Sequence, residues 1–264
     1  MHIASKKGLS PREQVQWSIY AKDAHAFVFG CPEYGQVLYT KDEHRLENPE
    51  QPFPDYEYLR VLLDCLLVSG RFLQPNHASY ALDWGIPLAH LELQASTGTT
   101  FMEKSRQIMA SWLCCAYLLW RAKFYMHQLI LIQSRKEDDA AKFVYLKEPQ
   151  QARISFMELR LPSCLQDDLF LDRSNGREKR AMVQFADNGN LFFPNGSHIW
   201  AVAQGGNVIR SNTCSCLFSD EAAFQAEFGL AYAAALPALR GGGQGIFISS
   251  AEQGDFATLI EAEV

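Results

Sequence analysis

Thr99-Thr-Phe-Met-Glu103, then Lys104-Ser-Arg-Gln-Ile-Met-Ala-Ser111, then Trp112-Leu-Cys-Cys-Ala-Tyr-Leu-Leu-Trp120: these consecutive strings decide the fold. The first has the length and the residue types of a short strand. The third belongs to a stretch from Met109 to Met126 that is apolar on most faces, which predicts a helix buried against a sheet. The polar string between them is then a strand-to-helix turn. Such a turn can cradle phosphate, because the free N–H groups and the dipole of a helix start attract anions. The usual loop of this kind reads G-x-x-x-x-G-K-[ST]. Laid over it, Lys104 takes the first glycine, Met109 the second, Ala110 the lysine and Ser111 the hydroxyl that binds a metal ion. The strict signature fails. Alone, the string is an ordinary strand, turn and helix, with a phosphate loop as the sharper reading.

Two further strings bear on that choice. Cys216-Leu-Phe-Ser-Asp220-Glu221 is an apolar strand ending in two acids, a Walker B pattern. A buried parallel strand would place Asp220 at its carboxyl end, where ligands of open α/β sheets bind. There Asp220 can serve Mg²⁺, and Glu221 can take a proton from an attacking water. The plainer reading is an acidic pair at the start of the next helix. Phe247-Ile-Ser249-Ser250-Ala251 ends another apolar strand in small hydroxyl residues, which can bond a water or a phosphate, or simply enter a turn. Each string is weak by itself. Their order, loop then acids then hydroxyls, is the order of parts in a P-loop NTPase.

The rest of the chain supplies an α/β frame. Residues 1–54 read as irregular, broken by Gly30, Pro32, Gly35, Pro49, Pro52 and Pro54. Asp55 is the expected cap of a helix to Val68, with Tyr58, Leu59, Leu62, Leu63 and Leu66 at helical spacing and Gly70 after it. Residues 74–98 read as a loop or insertion. Leu129-Ile-Leu-Ile132 suits a strand of a parallel sheet covered on both faces, and Lys136–Leu146 a helix. Residues 148–181 read as loop, including the basic run Arg173–Arg180, solvated or facing DNA. Hairpin signals follow: Val183 and Phe185, a turn at Asp187-Asn-Gly189, Leu191–Phe193, Asn195-Gly196, then His198–Val202. Cys214–Ser219 is expected as a strand, Ala222–Leu236 as a helix and Gly245–Ser249 as a strand.

Composition sets outer limits. A chain of 264 residues, 48% hydrophobic and 20% charged, is ordinary for a folded soluble protein. Its net charge of -6 argues against strong unaided DNA binding, which phosphate contacts from basic residues dominate. Seven cysteines without a C-x-x-C pair make a zinc site a poor reading and buried thiols in a reducing compartment a good one. The sequence shows neither an apolar run of membrane-spanning length nor a signal-peptide core near Met1, so a protein used inside a cell is expected.

The strings together resemble the ATPase domain of the large terminase subunit of phages and prophages. Lys-Ser-Arg-Gln-Ile-Met-Ala-Ser-Trp-Leu, starting at Lys104, is similar to that family's deviant Walker A, whose lysine opens the loop. Leu131–Ala140 resembles the segment after the next strand, and Phe193–Trp200 the hairpin before Walker B. The most specific likeness is Ile209-Arg-Ser211 followed by Phe218-Ser-Asp-Glu-Ala-Ala-Phe224. Ser249, Ser250 and Ala251 match the coupling motif. The likeness covers residues 53–73 and 101–256.

That resemblance implies an α/β P-loop NTPase of the ASCE type, with a mostly parallel central sheet flanked by helices. It implies ATP with Mg²⁺, and packaging of viral double-stranded DNA into a procapsid. It divides the chain into an N-terminal extension, 1–52, and an ATPase domain, 53–264. Carried over, Lys104, Ser105, Arg106, Gln107, Ile108, Met109, Ala110 and Ser111 bind ATP, with Arg106 sensing the γ-phosphate. Ser111 and Asp220 serve the metal, Glu221 is the catalytic base, and Ser249 to Ala251 couple hydrolysis to movement. The implied partners are double-stranded DNA, the small terminase subunit, the portal and further copies of the chain. The place of work is the host cytoplasm, transiently at the procapsid portal, with no membrane.

Two departures stand out. Residues 74–100 are longer than the expected link, and the chain ends at Val264 without the family's nuclease domain, so no nuclease activity is expected. The competing readings are an inactive, truncated prophage remnant or assembly-interaction module, and a helicase-like DNA translocase.

Overall fold

Four consecutive strands of the central sheet run parallel, and the site is built on three of them. The computed structural model describes residues 3–41, 50–105, 108–167 and 189–263. Arg106, Gln107, the basic run Arg173–Arg180 and the first half of the expected hairpin, through Asn188, lie outside the described residues. The elements are α1 (Pro11–Lys22), α2 (Ala24–Phe29), β1 (Tyr39–Lys41), β2 (Glu50–Pro52), α3 (Glu57–Ser69), α4 (Ser79–Asp83), α5 (Leu88–Thr97) and β3 (Thr99–Glu103). Then come α6 (Ala110–Phe124), β4 (Leu129–Gln133), α7 (Glu137–Val144), α8 (Arg153–Arg160), β5 (Asn190–Phe192) and β6 (His198–Val202). Last are α9 (Asn207–Arg210), β7 (Cys216–Asp220), α10 (Phe228–Arg240), β8 (Gln244–Ser249) and α11 (Asp255–Glu263).

The main sheet has the order β3-β8-β7-β4-β6-β5. β3 pairs parallel with β8, β8 with β7 and β7 with β4, while β5 and β6 pair antiparallel. The chain is thus α/β with a mostly parallel six-stranded sheet and flanking helices. β7 and β8 are buried along their whole length, as continuous apolar strands covered on both faces should be.

The chain divides into two compact units: 1–55, 112–128 and 141–200 form the first, and 56–111, 129–140 and 201–264 the second. The first unit's core holds Trp17, Tyr20, Phe27, Trp120 and Phe124. Trp17 and Phe27 meet Phe124 edge-on, with ring centroids 4.7 and 5.4 Å apart. The Lys123 ammonium, fully buried, is held by Glu158 at 3.0 Å, Asp167 at 2.5 Å and the Leu165 carbonyl at 2.9 Å. Three partners satisfy a charge that could not otherwise be buried; desolvation drives the Glu158 carboxyl above its ordinary range.

In the second unit, Val61, Cys65 and Val68 of α3 pack with Ala78, Ala81 of α4 and Leu91 of α5. The expected loop at 74–98 is therefore two short helices: too brief to show a period, they form because that apolar face needs a cover. Gly98 ends α5 in the left-handed region, φ 70°, and a Cβ there would lie 2.7 Å from the Gly243 carbonyl.

Several other expectations are corrected. Residues 1–54 hold two helices and a strand pair. α1 starts with a capping box, the Ser10 side chain accepting from Glu13 N–H and the Glu13 carboxylate from Ser10 N–H. Tyr56, not Asp55, occupies the cap position of α3. The stretch 148–181 contains α8, anchored by buried Ile154, Phe156 and Met157. The helix expected at Ala222–Leu236 is a short 3₁₀ turn, Ala222–Phe224, followed by α10. α10 carries Pro237 inside the helix, where a proline cannot supply the backbone N–H of an i→i−4 bond. The helices α9 and α11 were not anticipated.

Candidate active site

β3 ends at Glu103, paired with Ser249 at the end of β8, and β7 ends at Asp220, paired with Ile248. The three carboxyl ends therefore lie side by side, all in the second unit. The ladder continues one step: Lys104 N–H donates to the Ser249 carbonyl at 2.8 Å. This pins the first residue of the loop before its side chain is considered.

Lys104 carries its ammonium to within 3.2 Å of Glu221 Oε1 and 4.0 Å of Asp220 Oδ1. Ser111, the second residue of α6, donates its hydroxyl to Asp220 Oδ1 at 3.1 Å. Glu221 Oε2 receives the Ser250 N–H and hydroxyl, each at 3.4 Å, and the Ser249 hydroxyl at 3.5 Å. Ser249 Oγ also accepts from Ala223 N–H at 3.1 Å. The Lys104 side chain is 8% exposed and that of Asp220 10%, whereas Glu221 is 33% exposed. The ammonium and one acid are screened from solvent and the second acid faces it.

Of the residues singled out in the sequence, Lys104, Ser111, Asp220, Glu221, Ser249 and Ser250 thus form one cluster. Ser105 and Ala251 are exposed, Ile108 and Met109 half-buried, and Ala110 buried as the first residue of α6. Met109 has φ 60° and Glu221 φ 50°. Both are non-glycine residues in the left-handed region, a strain that clusters at functional sites. Met109 stands where the usual loop has its second glycine, so the backbone there keeps a glycine's conformation without the glycine.

Two features escaped the sequence. Gln225 is buried, its amide donating to Ser219 Oγ at 2.8 Å and to the Asp220 carbonyl at 2.9 Å. No local signal marks a glutamine as folding back on the strand before it. The other is a cavity of about 530 Å³ beside the loop, lined by Tyr58, Leu62, Trp84, Ile86, Ile108 and Ala110 among others. Buried Gln94 also lines it, and its Oε1 has no partner among the described residues. The cavity has one wall from the 74–98 stretch, so its lining became legible only once that stretch was seen to fold.

Among the described residues, no group of three or more His, Cys, Asp or Glu side chains is arranged to hold a metal ion, and no helix is long and apolar enough to cross a membrane. No family model and no curated protein matches this chain.

Proposed function

We propose that the chain is an ATP-hydrolysing motor domain of the large-terminase kind, a P-loop NTPase of ASCE type that drives double-stranded DNA into a procapsid. The observation that carries the chemistry is the convergence of Lys104, Ser111, Asp220 and Glu221, from separate strings, at the carboxyl edge of a parallel sheet. Open α/β sheets bind ligands at that edge.

The division of labour follows from residue chemistry. The N–H groups at the start of α6 face anions with the positive end of the helix dipole. Lys104 brings a mobile ammonium to phosphate oxygens. The hydroxyl of Ser111 and the carboxylate of Asp220 are hard oxygen donors suited to Mg²⁺, whose other ligands would be phosphate oxygens and water. Bound there with ATP, the ion neutralises phosphate charge. Glu221 accepts the proton of the attacking water, and Ser249 and Ser250 orient its second oxygen. They lie at the end of β8, between the loop strand and the acid strand, which suits them to relay hydrolysis into movement. The apolar cavity beside Ile108 and Ala110 offers a nucleobase aromatic and aliphatic walls, with the Gln94 amide as a polar contact.

The DNA-packaging part rests on the resemblance of the strings around Lys104, Phe218 and Ser249. With it come double-stranded DNA, the small terminase subunit, the portal and further copies of this chain as partners, in the host cytoplasm. Arg106 as γ-phosphate sensor and Gln107 as a loop residue stand on the same resemblance.

The test is phosphate release from ATP by the purified chain, with Mg²⁺ or with chelator, and with or without double-stranded DNA. Mg²⁺-dependent turnover abolished by Lys104→Ala supports the reading. A folded protein that neither binds nor hydrolyses ATP overturns it and leaves an assembly-interaction module.

A further inference from the structure

We infer that Gln225 is a positioning residue that holds the strained acid turn, and with it the carboxylate of Glu221, in place. Its kinetic consequence rests on the ATPase reading; its structural consequence does not.

Between β7 and α10 the chain makes a tight return. Asp220 ends the strand, Glu221 takes the left-handed conformation, φ 50° and ψ 45°, and Ala222–Phe224 form a 3₁₀ turn. A residue with a Cβ resists that conformation, so the surroundings must impose it. Two bonds do so. The peptide unit before Glu221 is fixed at the Asp220 carbonyl, which accepts from the Gln225 amide at 2.9 Å. The unit after Glu221 is fixed at its own carbonyl, which accepts from Phe224 N–H at 3.0 Å. φ and ψ of Glu221 are the angles between these two units and its Cα, so holding both units holds the residue. Only the second bond belongs to the turn itself. The first comes from a side chain, and the same amide spends its other hydrogen on Ser219 Oγ at 2.8 Å.

Gln225 is not simple core filling. It is 4% exposed, yet its Oε1 has no partner among the described residues. A buried, unsatisfied carbonyl is unfavourable, and an apolar side chain of the same length would avoid it. What that side chain would lack is the pair of donors. Without them Glu221 is free to relax toward an ordinary backbone conformation, which swings its carboxylate from Lys104 and Ser250.

The experiment compares the parent protein with Gln225→Met, matched in length, and Gln225→Asn, one methylene short. Both variants should keep the thermal midpoint within a few degrees and nucleotide affinity within about threefold. Turnover should fall by roughly 10- to 100-fold, the scale of a misplaced catalytic group. A crystal structure of Gln225→Met should show Glu221 out of the left-handed region. Unchanged turnover, a joint loss of affinity and turnover, or Glu221 keeping its conformation and its contact with Lys104 overturns the inference. Should the parent bind and hydrolyse no ATP, the ATPase reading fails by itself. The crystal structure of the variant then decides the positioning claim alone.

Discussion

The Ser111 hydroxyl lies 3.1 Å from Asp220 Oδ1, joining the first turn of α6 to the end of β7 across 109 positions. A hydroxyl and a carboxylate so placed share one task if a divalent cation enters with the substrate. Ser111→Ala should then raise the Mg²⁺ concentration needed for half-maximal ATP turnover and slow the reaction by at least about tenfold, while Ser111→Thr keeps most of it. Asp220→Ala should weaken Mg²⁺-dependent ATP binding more severely. A Mg²⁺ titration of phosphate release reads both. An unchanged Mg²⁺ requirement in Ser111→Ala would remove Ser111 from the metal site.

Glu221 differs from Asp220 in facing solvent and in having its second oxygen held by Ser249 and Ser250. An oriented, accessible carboxylate is what a water-activating base needs. Glu221→Gln keeps the size of the group and removes the proton acceptor. Turnover should fall by about two to four orders of magnitude, with ATP binding retained. Binding is read by equilibrium titration with a fluorescent ATP analogue, turnover by phosphate release. Near-parental turnover in this variant rules Glu221 out as the base.

The lysine of this site enters from the strand side of the loop. The helix-start position that a usual loop gives to lysine is Ala110, buried and uncharged, whereas Lys104 reaches the acid pair directly. Charge that develops on phosphate oxygens in the transition state still needs a cation. Lys104→Ala should therefore lose nearly all ATP hydrolysis, and Lys104→Arg much of it, because a planar fork does not replace a point ammonium. Ala110→Lys in the Lys104→Ala background should restore part of the rate. Equal hydrolysis by the parent and Lys104→Ala ends this assignment.

What was legible beforehand follows from length and period. The long apolar helix from Ala110, the run at Leu129 and the strands ending in Asp220 and Ser249 carry their own pattern, and each falls within a few residues of its expected place. Ser111, Asp220 and Ser249 of the site lie within them, Glu221 and Ser250 directly follow the two strands, and Lys104 directly follows β3. What was illegible depends on partners distant in sequence. α4 and α5 exist because α3 offers them an apolar face, and α8 because Ile154, Phe156 and Met157 find a core. α1 differs: its Ser10-Pro-Arg-Glu13 capping box is a local signal, but only Trp17, Tyr20 and Ala21 of the helix are buried, too few to set up an apolar period. The helix expected from Ala222 breaks at Gln225, whose backbone is extended and whose amide reaches back to Ser219, a contact no local pattern announces.

The β5–β6 hairpin gives the clearest dependence of stability on pH. The ring of His198 stacks on Phe192 with centroids 4.0 Å apart, and on Trp200 at 6.1 Å. Its Nε2 lies 2.9 Å from Asn190 Oδ1. A carbonyl oxygen only accepts, so Nε2 carries the hydrogen and the neutral ring already satisfies this contact. Desolvation between the aromatic rings lowers the His198 pKa from 6.5 to about 4. The sign follows from which state binds the proton first. Above pH 6.5 the histidine is neutral whether the chain is folded or not, and its contribution is complete. As pH falls from 6.5 toward 4, the unfolded chain takes up a proton that the folded one refuses, and stability declines. Below 4 both states are protonated and the slope ends. A single group can contribute at most about 1.4 kcal/mol per pH unit in that window, and the half-buried ring, partly screened by water, contributes well below that limit. His198→Phe keeps the stack and removes the titration. Urea unfolding at pH 7.5 and pH 5 should show a smaller loss for His198→Phe than for the parent, with any offset between them constant above pH 6.5. Equal losses in the two proteins would mean that the ring protonates as readily folded as unfolded.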